Sequence, residues 1–173
     1  RPDLLQPQST QKELEFLYDK AEKPTSNPGK SEELVLLYRK LKETIANRPA
    51  DLKGYKLLVK TCLTLNRYSE ARLAQERVLS LKGSRVSISD YSLLLDIYLV
   101  AAGGRFSIEA SKILKKIKGK YPESAGIYFF MALEHIERKN YFAAIEIWKK
   151  LKNQSGLDTE RLTLLENKLK RIG

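Results

Sequence analysis

The two residue types that most often serve as catalytic bases, nucleophiles or metal ligands, histidine and cysteine, occur once each in this chain. They are His135 and Cys62. A single histidine excludes most histidine-based catalysis, and a single cysteine excludes an internal disulfide or a cysteine-based metal site. No Ser/His/Asp set, pair of carboxylates or metal-ligand spacing stands out. The sequence therefore predicts a protein that is not an enzyme and that binds no metal.

The remaining positions with chemical potential have structural interpretations. Gly103 and Gly104 lack the preceding strand and the glycine spacing of a phosphate-binding loop, so no nucleotide is expected there. Cys62 lies in an apolar helical stretch and is expected to be a buried thiol. His135 takes a helix-packing position, where a core histidine bonded to a neighbour is expected rather than a haem ligand. We expect no cofactor.

The charge of the chain is strongly basic. Its 173 residues include 32 Lys and Arg against 21 Asp and Glu, a net charge of +11, and the sequence pI is about 9.6. This balance suggests acidic partners, an anionic membrane surface or nucleic acid. With 42% hydrophobic and 31% charged residues the chain is globular in composition, and no apolar run approaches the roughly 18–20 residues of a membrane helix.

The clearest helical pattern lies between Gly126 and Leu151. Residues of its first half recur at i, i+3, i+4 and i+7, Asn140 interrupts the run, and a second amphipathic segment follows. These features match the helix–turn–helix of a tetratricopeptide (TPR) repeat of about 34 residues. The packing residues are predicted to be Tyr128, Met131, Ala132 and His135 in the first helix and Ala144, Ile147, Trp148 and Leu151 in the second.

Two similar hairpins precede this one. The first runs from Asp51 to about Gly83, and the second from Ser89 to Tyr121 with a longer central turn. In the first hairpin Tyr55, Leu58, Val59 and Cys62 precede a turn at Asn66-Arg67-Tyr68, after which Ala71, Val78 and Leu79 pack. In the second, Tyr91, Leu94, Leu95 and Tyr98 precede the glycine-terminated turn, and Ser107 begins the helix of Ala110, Leu114 and Ile117.

The predicted fold is all-α: a superhelix of about three TPR-like helical hairpins with flanking helices. Residues 1–30 are expected to form a flexible N-terminal segment with a short helix, residues 31–156 the TPR-like repeat domain, and residues 157–173 a C-terminal capping helix. Ser31 is the predicted N-cap of the helix before the first hairpin, and Asp158 the N-cap of the last helix.

Three motifs in the second and third hairpins resemble one family. They are Asp90-Tyr91, Gly103-Gly104-Arg105, and the run from Tyr141 through Trp148 to Leu151. In this order they resemble the periplasmic part of the cytochrome c-type biogenesis proteins CcmI, called CycH in some bacteria. Relatives there have a D-Y-A-x-x-L helix, an A-x-G-G-R turn, and G-x-Y-x-x-A-I-x-x-W-x-x-L. The resemblance covers roughly Glu33 to Gly156.

The resemblance implies a protein-binding domain that acts as a chaperone for apocytochrome c. Such a domain holds the C-terminal helix of apocytochrome c and delivers it to the haem-ligation machinery. It lies on the periplasmic side of the bacterial inner membrane, anchored by segments before Arg1. Because the chain begins with Arg1 and not with methionine, we expect it to be a fragment or a processed product.

The first helix of each hairpin lines the concave face of a TPR stack, so peptide-binding residues are expected between its packing positions. An amphipathic helix would lay its apolar side on the third hairpin and turn its carboxylates toward the lysines of the first. Capture of a phosphate or a C-terminal carboxylate by those lysines is equally compatible. The predicted peptide-binding residues are Lys53, Lys56, Lys60, Ser92, Asp96, Phe129, Leu133 and Ile136.

Alternatives remain open for both the residues and the function. The lysines fit a merely solvated helix face, and Phe129 and Leu133 fit packing on the helix at 157–172. In place of a cytochrome chaperone, the chain fits a general TPR scaffold of another envelope assembly complex. Nucleic-acid binding through Lys112–Lys120 ranks last, and we expect no nucleic-acid partner, because that run lacks the interleaved aromatic residues of a stacking platform.

Overall fold

The computed structural model describes residues 29–154 and 157–172, in which eight α-helices and one short 3₁₀ helix (Gly83–Arg85) alternate with turns and no strand occurs. The predicted all-α, TPR-like helical repeat fold is confirmed. The expectations for the segment before residue 29 lie outside the described residues. The helices are α1 (Gly29–Asn47), α2 (Leu52–Thr64), α3 (Tyr68–Lys82), α4 (Ile88–Ala101), α5 (Ile108–Lys120), α6 (Ala125–Glu137), α7 (Tyr141–Lys152) and α8 (Thr159–Lys170).

The helices form two compact units, of which the first ends at Val86 and the second begins at Ser87. In the first unit, α1 packs on α2, and α2 packs on α3. A Cβ on Gly54 would come within 3.2 Å of the Ile45 side chain, so this glycine permits the close approach of α1 to α2. Helix α1 begins at Gly29, so the prediction that Ser31 is its N-cap is wrong. Capping propensity alone defines a helix start only to within one or two residues.

The predicted turn of the first hairpin is confirmed at Asn66 and Arg67, whereas Tyr68, also predicted in the turn, is the first residue of α3. Asn66 adopts a left-handed conformation with φ 58°, and the Arg67 backbone N–H donates to the Cys62 carbonyl over 2.8 Å. Asn is one of the few residues other than glycine that tolerates this conformation. The turn brings Ala71 of α3 against α2, and both Cys62 and Ala71 are fully buried.

The Tyr38 hydroxyl ties α1 to α3 in the same unit by donating to a carboxylate oxygen of Glu70. This bond is the main reason that the pKa of Glu70 lies below its ordinary value of 4.5 and that the pKa of Tyr38 lies above 10.0. The guanidinium of Arg67 also lies over the Tyr38 ring, 4.5 Å from its centroid. The contact is cation–π in character.

In the second unit, the longer turn between α4 and α5 forms as predicted. Gly103 and Gly104 have positive φ angles of 65° and 90°, and the Gly104 N–H donates to the Leu99 carbonyl over 2.7 Å. The Ser107 side chain then caps α5 by accepting from the Ala110 N–H. These contacts satisfy backbone groups that a helix end leaves without partners.

The third hairpin, α6–α7, and the last helix complete the second unit. Asp158 caps α8 as predicted, accepting from the Arg161 N–H over 2.8 Å, and α8 packs against both α6 and α7. Of the predicted packing residues, Ala132, Ala144 and Leu151 are buried. The others are only half-buried: Tyr128, Met131, His135, Ile147 and Trp148.

Candidate functional site

A groove with a volume of about 640 Å³ opens in the second unit between α4, α6 and α8. Its floor is apolar and consists of Leu99, Phe129 and Leu133. Two exposed apolar side chains stand at its edge, Val100 of α4 (48% exposed) and Leu164 of α8 (47% exposed). Exposed apolar side chains beside a concave apolar surface are typical of a site that buries part of a partner. We call this site the α4–α6–α8 groove.

Three of the predicted peptide-binding residues meet in this groove: Asp96, Phe129 and Leu133. The two apolar residues are nevertheless only 2% and 8% exposed. The expectation that they present free apolar surface opposite the packing face is therefore corrected, since they are core residues whose edges reach the groove floor. Ile136, one turn further along α6, is half-buried and packs against the same core.

The burial of Phe129 and Leu133 follows from the position of α6. Helices α5, α7 and α8 all pack against it, so apolar residues on nearly every side of α6 are covered, as is usual for a helix that is apolar all round. The Arg161 guanidinium of α8 lies 5.1 Å from the centroid of the Phe129 ring. Packing of Phe129 on the last helix is the alternative to peptide binding that the sequence left open, and the structure has this packing.

An ion pair crosses the end of the groove. The Arg161 Nη2 donates to the Asp96 Oδ2 over 2.6 Å, and its Nε lies 3.5 Å from an oxygen of Asp158. The Asp96 and Arg161 side chains are 34% and 27% exposed. Burial raises the pKa of the Asp96 carboxyl above its ordinary value of 3.8, although the bond from Arg161 opposes this shift. The ion pair joins α8 to α4 at one end of the groove, and the rest of the groove stays open.

A smaller, more polar cavity of about 360 Å³ shares the same ion pair. The predicted residue Ser92 lines it together with Asp96 and Arg161, and Ser89 and Ser124 contribute further hydroxyl groups. Side chains with this chemistry orient a ligand by hydrogen bonds, whereas the neighbouring groove contributes apolar area. Ser92 and Asp96 therefore lie where an apolar and a polar surface adjoin.

The three predicted lysines, Lys53, Lys56 and Lys60, lie on α2 in the first unit. All three are exposed, and their i, i+3, i+7 spacing places them on one helix face as predicted. Lys53 and Lys60 make further interactions in the structure. Their predicted role in peptide binding stays a prediction.

Sequence reasoning predicted only three of the residues that line the groove, and those it missed include Val100, Arg161 and Leu164. One signal was available for the two apolar residues. Val100 follows the packing residue Leu99, and Leu164 precedes the buried Leu165. Each therefore makes the apolar face of its helix wider than the strip that is buried in the core. No local signal marked Arg161, because its partner Asp96 is 65 residues away.

A protein-family model matches almost the whole chain. The model of the family described as the cytochrome c-type biogenesis protein H TPR domain matches residues 3–162. The chain belongs to this family. TPR domains of cytochrome c biogenesis proteins are typically protein-binding domains. None of the curated proteins matches the chain.

Two further observations constrain what this cytochrome c-type biogenesis TPR domain contains. Among residues 29–154 and 157–172, no three His, Cys, Asp or Glu side chains are grouped so that they could hold a metal ion. None of the helices in that same part of the chain has the length and apolar character needed to cross a membrane.

Proposed function

We propose that this chain is a non-enzymatic, protein-binding TPR domain that acts as an apocytochrome c chaperone or adaptor in cytochrome c maturation. In this role it holds the C-terminal helix of apocytochrome c and delivers it to the haem-ligation machinery on the periplasmic side of the bacterial inner membrane. The observation that carries the proposal is the family match over residues 3–162. The α4–α6–α8 groove is the proposed contact surface.

The groove supports the proposal by its apolar surface. Val100 and Leu164 are each about half exposed, on helices that face each other across Leu99 and Leu133. A partner helix that covers both edges removes apolar area from water, which contributes about 25 cal/mol per Å². Because ion pairs at the surface contribute only about 0–1 kcal/mol each, we expect these apolar contacts to provide most of the affinity.

Charged residues at the groove suit the polar side of an amphipathic helix. Asp158, Glu160 and Lys168 line it beside the apolar surface, so both signs of charge are available at its border. Such an arrangement of an apolar centre with a polar border is that of a helix-in-groove site. We propose Ser92 and Asp96 as polar contacts and Phe129, Leu133 and Ile136 as the supporting apolar layer.

The lysines of α2 belong to the proposal as a second contact surface. Lys53, Lys56 and Lys60 are exposed along one face, and they would attract carboxylates of the partner at long range. Surface charges of this kind act more on the rate of association than on affinity. Replacing all three by Gln is expected to slow association at low salt and to have little effect at high salt.

The proposal is tested by titrating the folded 173-residue chain with a peptide that copies the C-terminal helix of an apocytochrome c. Isothermal titration calorimetry of the chain and of a Leu164→Glu variant gives the two dissociation constants. A charge on the groove edge is expected to weaken binding at least about tenfold, which corresponds to about 1.4 kcal/mol.

Leu73→Glu is the matched control, since Leu73 is an exposed leucine of α3 in the first unit and is 57% exposed. It is expected to bind the peptide as tightly as the parent chain. No binding of the peptide by the folded chain at high micromolar concentration would exclude the apocytochrome role. Co-purification from native cells with another envelope complex, without haem-ligation components, would then support a general TPR scaffold.

A further inference from the structure

The outward face of α5 is strongly basic and has no role in the proposed peptide contact. Its five lysines are all exposed, and the single acidic residue of the helix is Glu109. At 100° per residue the lysines span about half of the helix circumference, whereas the apolar residues of the opposite side are buried in the core. The basic α5 face consists of Ile108, Lys112, Lys115, Lys116, Lys118 and Lys120.

Carboxylates do not neutralise the lysines of this face. In the described part of the chain, no carboxylate oxygen lies within 4.0 Å of the ammonium groups of Lys112, Lys115 or Lys118, whereas Lys149 lies 3.5 Å from Glu146 and Lys170 lies 3.5 Å from Glu166. The positive charge of the α5 face is therefore available to an external partner.

The neighbouring helix adds to the positive surface instead of cancelling it. Lys112, Lys115 and Lys118 line a shallow cavity of about 500 Å³ together with Glu134 of α6 and with Arg138, the residue that follows this helix. Glu134 is paired with Arg138 at 3.7 Å, and its side chain is only 15% exposed. Its charge is therefore largely covered. The exposed charged residues of this surface are the five lysines and Arg138 against Glu109, so its net charge is positive.

The face also carries one apolar side chain in an unusual position. Ile108 is 73% exposed and begins α5, so it lies on the same side as Lys112 and Lys115 at i+4 and i+7. A large apolar side chain that is left in water on the same helix face as several lysines suits a partner with both an anionic surface and an apolar interior. An anionic phospholipid bilayer has both.

We propose that the basic α5 face docks on the surface of an anionic phospholipid membrane, with the lysines at the headgroups and Ile108 inserted at the boundary of the acyl chains. A broad cationic surface of four to eight lysines is typical of binding to anionic lipid. Nucleic acid is the less favoured partner, because the sequence of α5, IEASKILKKIKGK, contains no aromatic residue on which a base could stack.

The proposal is tested by co-sedimentation of the full chain with two kinds of vesicle, phosphatidylcholine alone and phosphatidylcholine with about 30 mol% phosphatidylglycerol. Binding is expected only to the anionic vesicles at about 0.1 M salt, and it is expected to be lost at about 0.5 M salt, where the charges are screened. Binding to both vesicles alike, or to neither, would overturn the proposal.

A triple variant, Lys112→Gln, Lys115→Gln and Lys116→Gln, locates the contact. Partitioning onto anionic vesicles is expected to fall roughly 100-fold. The matched control replaces Lys53, Lys56 and Lys60 by Gln, which removes the same charge from another helix, and it is expected to lose less than about threefold. Equal losses would show that net charge attracts the protein without a defined face, contrary to the proposal. Circular dichroism establishes that both variants are folded.

A fluorescent label reports insertion directly. An environment-sensitive dye on Ile108→Cys is expected to shift to the blue on anionic vesicles, and the same dye on Lys56→Cys is expected to stay unchanged. The buried native Cys62 does not compete for the label. No shift at position 108, or tighter binding to a single-stranded oligonucleotide than to the vesicles at equal salt, would refute the membrane as the partner.

Discussion

Arg161 of α8 donates to the carboxylate of Asp96 of α4 over 2.6 Å, and its guanidinium also lies 5.1 and 5.4 Å from the ring centroids of Phe129 and Phe130 of α6. One side chain thus holds three helices of the second unit together at the end of the groove. The contact joins residues 65 apart in sequence, and it determines where the last helix lies on the helices that line the groove.

Arg161→Ala is expected to lower the free energy of unfolding by about 1–2 kcal/mol. The substitution leaves the half-buried Asp96 without its partner and removes the cation–π contacts, and the value is below that of a fully buried pair because both side chains are about one-third exposed. Urea unfolding followed by circular dichroism measures it. The control is Lys170→Ala on the same helix, whose pair with Glu166 is exposed and should contribute less than about 0.5 kcal/mol. Similar losses in both variants would contradict the role given to Arg161.

The raised pKa of Asp96 predicts a specific dependence of stability on pH. Burial makes the folded chain hold this proton more tightly than the unfolded chain, so stability contributed by the protonated carboxyl falls as pH rises from 3.8 through the folded-state pKa. Asp96→Asn has no such proton. The free energy of unfolding of the parent chain is therefore expected to fall relative to that of the variant across this window. Urea unfolding at several pH values measures the two slopes, and parallel slopes would refute the prediction.

The local features of this fold could be predicted because short sequence signals determine them. Asn66 in the first turn, Gly103 and Gly104 in the second, and the caps Ser107 and Asp158 each act through backbone groups within a few residues. Such signals act through local backbone groups, although the one at Ser31 did not mark the start of α1. The helical hairpins followed from them and from the apolar spacing, whereas the family was suggested by the resemblance of three sequence motifs and is shown by the family match.

The surface of the groove could not be predicted in the same way, because it depends on contacts between distant helices. Phe129 and Leu133 have the spacing of a free helix face, yet α5, α7 and α8 all pack on α6, and both side chains are buried. Which face of a helix stays exposed is decided by all its neighbours together. These two predicted apolar residues form part of the groove floor, and the accessible apolar edges of the groove are Val100 and Leu164.

The Cys62 thiol is expected to be unreactive in the folded protein. Burial raises its pKa to about 11, so at pH 8 only about one thiol in a thousand is ionised, and the thiolate is the reactive form. Reaction with Ellman's reagent at pH 8 should be very slow in buffer and rapid in concentrated urea. An Ile108→Cys variant, with the second thiol at an exposed position, should show one fast and one slow thiol in buffer. Rapid reaction of both would mean that the α2–α3 hairpin opens readily.

The last prediction concerns Trp148 of α7, a half-buried residue that packs against the core of the second unit. Its Nε1 is inaccessible to solvent and finds no hydrogen-bond acceptor within the described residues. Trp148→Ala removes the packing contacts of the indole ring and is expected to lower the free energy of unfolding by about 2–3 kcal/mol. Replacement of a fully buried tryptophan by Ala costs more, about 3–5 kcal/mol.

Trp148→Phe keeps much of the packing and removes only an N–H group that has no acceptor. The expected change in the free energy of unfolding is below about 1 kcal/mol, because desolvation of the unbonded N–H already costs free energy in the folded parent. Leu151→Ala on the same helix is the control for a fully buried site and is expected to cost about 2–5 kcal/mol. If Trp148→Phe is as destabilising as Trp148→Ala, the indole N–H must donate a hydrogen bond in solution, and the packing argument for Trp148 fails.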